Sequence, residues 1–390
     1  MFDLTLTALE GTNWGDNKLA VLWFILIGVL WVGFFFLEGF DFGIAMLLPF
    51  MSKSDHERRV MVNAIGPHWD GNEVWLLTAG GATFAAFAGW YASLFSSLYL
   101  PLFLVLVGLI LRGVAFEYRS KHNTLGWRKG WDWAAAIGSF LPALVLGVGF
   151  ANFFKGVVIT ATTVPEPIGM FKAGGQGLVP IYDGFWGLFH PFCLVGGLLF
   201  VALFCAHGAF FLALKTQGTV RQQAKAMASK LALVSLVLLA IFVIWGNIAY
   251  NQSGTGKNLA SLGVIVTWIV GVLAVAALAG AWFMEKQGRD GWAFIASGLS
   301  VGLMIIMVWV SMFPNLGFNS AEVGKALGLP SSPDILPLLQ NSATTLTLMT
   351  WVAAIMVPVV LLYQIWTWFV FRRRLSTANI ADDSAAARAA

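Results

Sequence analysis

Long apolar runs broken by short polar segments set the pattern of this chain, and about 20 consecutive apolar residues are what a helix needs to cross the hydrocarbon of a bilayer. The runs predict helices over 19–46, 133–153, 186–214, 231–250, 259–284, 292–313 and 344–371. Val74–Leu111 must be divided. It runs 38 residues without a charge, about 57 Å as one helix and roughly twice the hydrocarbon thickness, so it is read as two helices, 67–89 and 92–111, turning near Gly89-Trp90. The result is an all-α integral membrane protein with nine transmembrane helices in a single polytopic domain over 1–374. The first run is too long for the core of a signal peptide, and no small-residue cleavage site follows it. Residues 375–390, poor in bulky apolar side chains, are expected to form a disordered cytoplasmic tail.

Composition agrees and adds orientation. Of 390 residues, 58% are hydrophobic and 11% charged, against about 25% charged in an ordinary soluble domain, which excludes a soluble fold. The net charge of +4 does not point to nucleic acid, because the basic residues sit in short clusters between apolar runs. With nine spans, 18 of the 23 Lys and Arg fall on one side, in the segments holding Lys53 to Arg59, Arg112 to Lys129, Lys215 to Lys230, Lys286 to Arg289 and Arg372 onward. Basic loops mark the cytoplasmic face, so the N-terminus is expected outside and the C-terminus in the cytoplasm. Lys155–Phe185 and Pro314–Asn341, the sizeable outer segments, carry no nucleotide-binding signature. Cys193 and Cys205 lie in apolar sequence without paired spacing and read as small buried hydrophobes.

Ionisable groups at membrane depth point to function, because isolating a charge there costs several kcal/mol unless it is paired, neutralised or wet. Glu38 and Asp41 interrupt an apolar stretch, and their i, i+3 spacing puts them on one helical face. They lie near the end of their helix, where the dipole disfavours anions. Asp70 and Glu73 repeat the spacing at the start of the next span, in Pro67-His68-Trp69-Asp70-Gly71-Asn72-Glu73-Val74-Trp75. Two readings stand for this second pair. Acids in a first helical turn complement the dipole, and adjacent helices would also bring both pairs together, where shared protons suit proton uptake.

His190 and His207 are 17 residues apart on one helix, about 25 Å along its axis, and cannot ligate one iron together. A membrane histidine more often bonds between helices, and His68, at a helix entrance, is expected to bond backbone. His56 and His122 are loop residues. Many of the 18 tryptophans, Trp14, Trp90, Trp127, Trp131 and Trp186 among them, fall at helix ends as an aromatic belt. For Arg112, snorkelling to the cytoplasmic surface is the preferred reading over an ion pair with the acids.

In order along the chain, Glu38-Gly39-Phe40-Asp41, Glu57-Arg58-Arg59, the Pro67–Leu76 run, Thr78-Ala79-Gly80-Gly81-Ala82, Arg112-Gly113, Tyr118-Arg119, Trp131-Asp132-Trp133, Gly138-Ser139-Phe140, His207-Gly208-Ala209, Met312-Phe313-Pro314 and Met349-Thr350-Trp351 resemble subunit II of the cytochrome bd family of quinol oxidases. The Pro-His-Trp-Asp-Gly-Asn run is the most specific of these. The resemblance implies two four-helix bundles plus one further helix, in a bacterial cell membrane. It implies a heterodimer with subunit I, which would carry two b-type haems and one d-type haem, oxidising quinol and reducing dioxygen to water, with room for a small accessory subunit. This chain would carry no haem, metal or catalytic residue of its own. It would support subunit I and line a cytoplasmic proton route through Glu38, Asp41 and Asp70. Glu73 joins them on weaker ground, since some members have Gln there. Trp69, Asn72, Trp75, Arg112 and His207 would be structural members of the motifs. A structural quinone occurs in part of the family, but no headgroup motif here identifies one. A proton-coupled transporter and a bare scaffold subunit are the competing readings; against the first, the acids cluster at one face and no internal repeat is visible.

Overall fold

The structure, a computed structural model, describes residues 17–157, 160–164, 171–173, 176–179, 184–250, 259–319 and 336–380. Its helices are α1 (Lys18–Met51), α2 (Asp55–Ile65), α3 (Trp69–Ala86), α4 (Ala88–Ser97), α5 (Tyr99–Tyr118), α6 (Leu125–Lys155), α7 (Gly184–Gly187), α8 (Pro191–Lys215), α9 (Gly218–Ala249), α10 (Leu259–Lys286), α11 (Asp290–Met312), α12 (Leu336–Leu339) and α13 (Ala343–Val370). Among the described residues eight of these, α1, α5, α6, α8, α9, α10, α11 and α13, are long and apolar enough to cross a membrane.

Several helices outrun their apolar cores. α9 begins at Gly218 rather than 231, because Gln222, Gln223, Ala224, Lys225, Ala226 and Met227 are good helix formers whether or not they face lipid. Apolarity marks the bilayer and not the helix end. Val74–Leu111 divides as expected, though not by one turn at Gly89-Trp90: those two residues lie inside α4, and the joints are Phe87 and Leu98, both outside regular helical geometry. The run 186–214 is also cut, with Pro191 in the first turn of α8 and the His190 ring accepting from the Phe192 N–H.

The all-α expectation holds for the membrane part alone. Between α6 and α7 the chain forms β1 (Thr160–Val164), β2 (Phe171–Ala173) and β3 (Gln176–Val179), an antiparallel sheet in the order β1-β3-β2, with Thr160 opposite Val179 and Phe171 opposite Leu178. The Thr-Ala-Thr-Thr-Val of β1 is rich in β-branched residues, which suit a strand and leave no helical period to detect.

α1, α3, α5 and α6 pack as one group, α8 to α11 as a second, and α1 and α6 join the two through α8; α13 lies against α1 and α3. The α1–α8 crossing is close. A Cβ on Gly208 would come within 2.7 Å of the Ile44 backbone nitrogen and 2.8 Å of the Phe40 carbonyl, and one on Gly43 would strike the Phe204 carbonyl. Small residues let two backbones approach in this way.

The basic segments gather at one end. Arg119 bonds Asp132 at 2.6 Å and Asp55 at 2.8 Å, Arg128 also pairs with Asp55, and Arg58 lies 3.7 Å from Asp132. Asp290 accepts from Arg221 at 2.7 Å and Arg374 at 3.1 Å, while α2 meets both α8 and α9. The segment expected to be disordered from 375 is ordered over its first six residues. The Leu375 N–H donates to the Lys215 carbonyl, its carbonyl accepts from the Gln217 N–H, and Ile380 is buried. Residues 381–390 lie outside the described residues, as does Trp14 of the aromatic belt.

Candidate functional site: a buried carboxylate cluster

Four charged side chains meet where α1, α3 and α5 converge. Glu38 and Asp41 project from one face of α1, as their spacing requires, and both are fully buried. Arg112 is fully buried between them and α3, ion-paired with Glu38 on one side and with Glu73 at 2.7 Å on the other. The expected snorkelling of Arg112 is therefore incorrect. Its guanidinium lies 4.7 Å from the centre of the Phe42 ring and under 6 Å from those of Trp69 and Phe116, so aromatic faces and carboxylates replace the water it would have reached for. α5 and α6 approach closely beside Arg112, where a Cβ on Gly138 would come within 2.7 Å of the Arg112 backbone nitrogen. Because Glu73 opens α3 and Arg112 lies in the second half of α5, their contact shows that the chain from Trp69 to Tyr118 goes out and returns.

Asn72 completes the cluster. Its amide nitrogen donates to Asp41 Oδ2 at 2.7 Å and to the Leu37 carbonyl at 3.3 Å. Its oxygen accepts from Gln364 of α13 at 3.4 Å. Asp41 Oδ1 and Glu38 Oε2 are buried without a hydrogen-bond partner. Three carboxylates surround one guanidinium, so two negative charges stay unbalanced if every acid is ionised.

Asp70 stands apart. It is exposed in the first turn of α3. The structure thus joins Glu73, the acid resting on weaker ground, and leaves out Asp70. Gln364 is a participant that sequence reasoning missed, although a single amide in the apolar α13 was the clue available.

His207 binds helices together. Its Nδ1 lies 2.8 Å from Ser297 Oγ of α11 and its Nε2 3.1 Å from the Phe36 carbonyl of α1. Both nitrogens are engaged within the protein and present no lone pair to an iron. His68 is buried and stacks on Trp368 at 5.2 Å, and its backbone N–H donates to the Ile65 carbonyl. Trp75 packs its ring where a Cβ on Gly33 would lie, and Trp69 packs edge-on to Phe116. Cys193 and Cys205 are buried and unpaired. Among the described residues no three His, Cys, Asp or Glu are grouped to hold a metal ion.

The pattern of the family described as Cytochrome bd terminal oxidase subunit II matches residues 19–371. The chain belongs to the cytochrome bd subunit II family. It is 34% identical over 384 residues to the cytochrome bd-I ubiquinol oxidase subunit 2 of Escherichia coli K12, covering 93% of this chain and 96% of that one. It is 37% identical over 356 residues to the cytochrome bd ubiquinol oxidase subunit 2 of Bacillus subtilis, covering 91% and 96%. A chain of the bd oxidase from Geobacillus thermodenitrificans shares the fold, with a TM-score of 0.62 at 17% identity over 91% of this chain and 99% of that chain. This subunit II chain is accordingly a multi-pass bacterial membrane protein and part of a respiratory oxidoreductase complex. The Glu38–Arg112–Glu73 contact lies inside the matched region.

Proposed function

We propose that this chain is the subunit of a quinol-oxidising, dioxygen-reducing complex that braces the haem-bearing subunit I and holds protons on their way in from the cytoplasm. The observation that carries the reading is the imbalance of the buried cluster. Three acids face one arginine, and two carboxylate oxygens are buried without partners. A scaffold needs no such arrangement, since apolar side chains of similar volume would pack as stably as a buried charge network.

In this reading Glu38, Asp41 and Glu73 carry the protons, and Arg112 balances the carboxylate that stays ionised. Asp70, one turn from Glu73 and exposed, collects protons from the surface; Asn72 fixes Asp41. The basic end of the molecule is the cytoplasmic face, and α3 together with the eight longer helices gives nine crossings, with the N-terminus outside. Two b-type haems and one d-type haem belong to subunit I. His207, with both ring nitrogens bonded within the protein, and His190, bonded to the Phe192 N–H and to Tyr250, do not fit haem ligands.

The test is Asp41→Asn in the two-subunit complex, which keeps size and removes the titration. Proton uptake coupled to oxygen reduction should slow by 10-fold or more, about 1.4 kcal/mol of barrier, with the haems still reduced by quinol. Unchanged proton uptake in Asp41→Asn, Glu38→Gln and Asp70→Asn alike would return these acids to structural roles.

A further inference from the structure

α13 is the most loosely held of the long helices. Its side chains are exposed along most of its length, and it packs on α1 and α3. Gln364 is its single amide, and it points inward. Its Nε2 donates to Asn72 Oδ1, whose own amide nitrogen donates to both Asp41 Oδ2 and the Leu37 carbonyl. The chemistry fixes these directions. A backbone carbonyl only accepts, so the Asn72 nitrogen must face Leu37 and Asp41, and its oxygen must face outward to a donor on α13. Asp41 Oδ2 is therefore the accepting oxygen. The other, Oδ1, is buried and without a partner, and it is the position left for a proton.

We propose that Gln364 is a positioning residue which, through the Asn72 amide, selects the oxygen of Asp41 that carries the proton, and so ties the seating of α13 to the state of the buried cluster. This rests on the reading of that cluster as proton-holding. A turn of the Asn72 amide about its terminal torsion, which would offer its oxygen to a protonated Asp41, is opposed by the 3.3 Å bond to the Leu37 carbonyl and by the Gln364 donor. The Gln364 donor adds to the cost of that turn, because the turned amide would set an N–H against an N–H unless the Gln364 amide turned with it. A shift of α13 relative to α1 and α3 stretches the Gln364–Asn72 bond first, since at 3.4 Å it is the longer of the two side-chain bonds in the relay.

The test uses infrared difference spectroscopy on the complete two-subunit complex. The carbonyl band of the protonated Asp41 carboxyl is assigned by its loss in Asp41→Asn. Gln364→Met keeps length and removes the donor. The Asp41 band should then move to higher wavenumber, because the carbonyl at Oδ2 loses part of its hydrogen bond. Asn72→Leu should move it further, and Gln364→Met should add nothing in the Asn72→Leu background. A band unmoved by Gln364→Met but moved by Asn72→Leu overturns the proposal, as does an independent shift in the double variant. If Gln364→Met does not assemble, Gln364→Asn, which keeps the amide and shortens its reach, is read in the same way. Absence of any Asp41-dependent band in the parent complex defeats the proton-holding reading itself, and this proposal with it. That result is distinct from a band that exists and ignores Gln364.

Discussion

Replacing Arg112 with methionine isolates the electrostatics of the cluster. The guanidinium is fully buried and shared between Glu38 and Glu73, and the Glu38 side chain is also fully buried. Removing one partner of such a pair leaves an uncompensated charge, at a cost of about 3–5 kcal/mol. Methionine fills much of the volume, so little of that cost comes from a cavity. Adding Glu38→Gln to Arg112→Met removes the orphaned charge, and most of the loss should return. Glu38→Gln alone should cost less than Arg112→Met, because Glu73 still pairs with Arg112. The readout is the unfolding free energy of the purified complex in graded detergent denaturation, arranged as a double-variant cycle. A coupling of at least about 1 kcal/mol is expected for groups in contact. If the two substitutions add independently, Glu38 carries no charge beside Arg112, and Glu73 alone balances the guanidinium.

Three further outcomes are expected. Gly208→Leu should overpack the α1–α8 crossing against backbone atoms that cannot rotate away, destabilising the chain by about 1–3 kcal/mol or more, seen as reduced yield of assembled complex. Burial raises the Asp55 carboxyl, but bonding and positive charge from Arg119 and Arg128 outweigh it and hold it below the ordinary carboxylate range. Its contribution is therefore full at neutral pH and is lost as pH falls through that lowered value. Asp55→Asn should lower the thermal midpoint at pH 7, with the gap to the parent closing only below about pH 4. Asn123→Cys should react with an impermeant thiol reagent in inverted vesicles and not in intact cells; labelling from outside would reverse the orientation.

What the sequence revealed, and what it withheld, follows from range. The apolar runs, the split of Val74–Leu111 and the shared face of Glu38 and Asp41 depend on neighbours within a helix, and period and length express those directly. Gln364 and Asn72 are 292 positions apart, and nothing local marks them as partners. The burial of Arg112 is hidden from the sequence for the same reason. Near a helix end its local context suits a surface cation, and only the arrival of α1 and α3 makes burial the better arrangement. Asp70 and Glu73 share a helix, but i, i+3 neighbours subtend about 60° around the axis, enough for one to meet the core and the other to miss it.

The short parallel pairing of Leu375 with the Lys215–Gln217 segment has a consequence for the order in which the protein is made. Translation proceeds from the N-terminus, and domains take shape as their parts emerge. Lys215 and Asp290 are synthesised long before Leu375 and Arg374, yet they take those late residues as partners. Their end of the molecule cannot close until the last helix has been threaded into the bilayer, so a ribosome stalled within α13 leaves a chain whose early helices are inserted but whose basic face is still open.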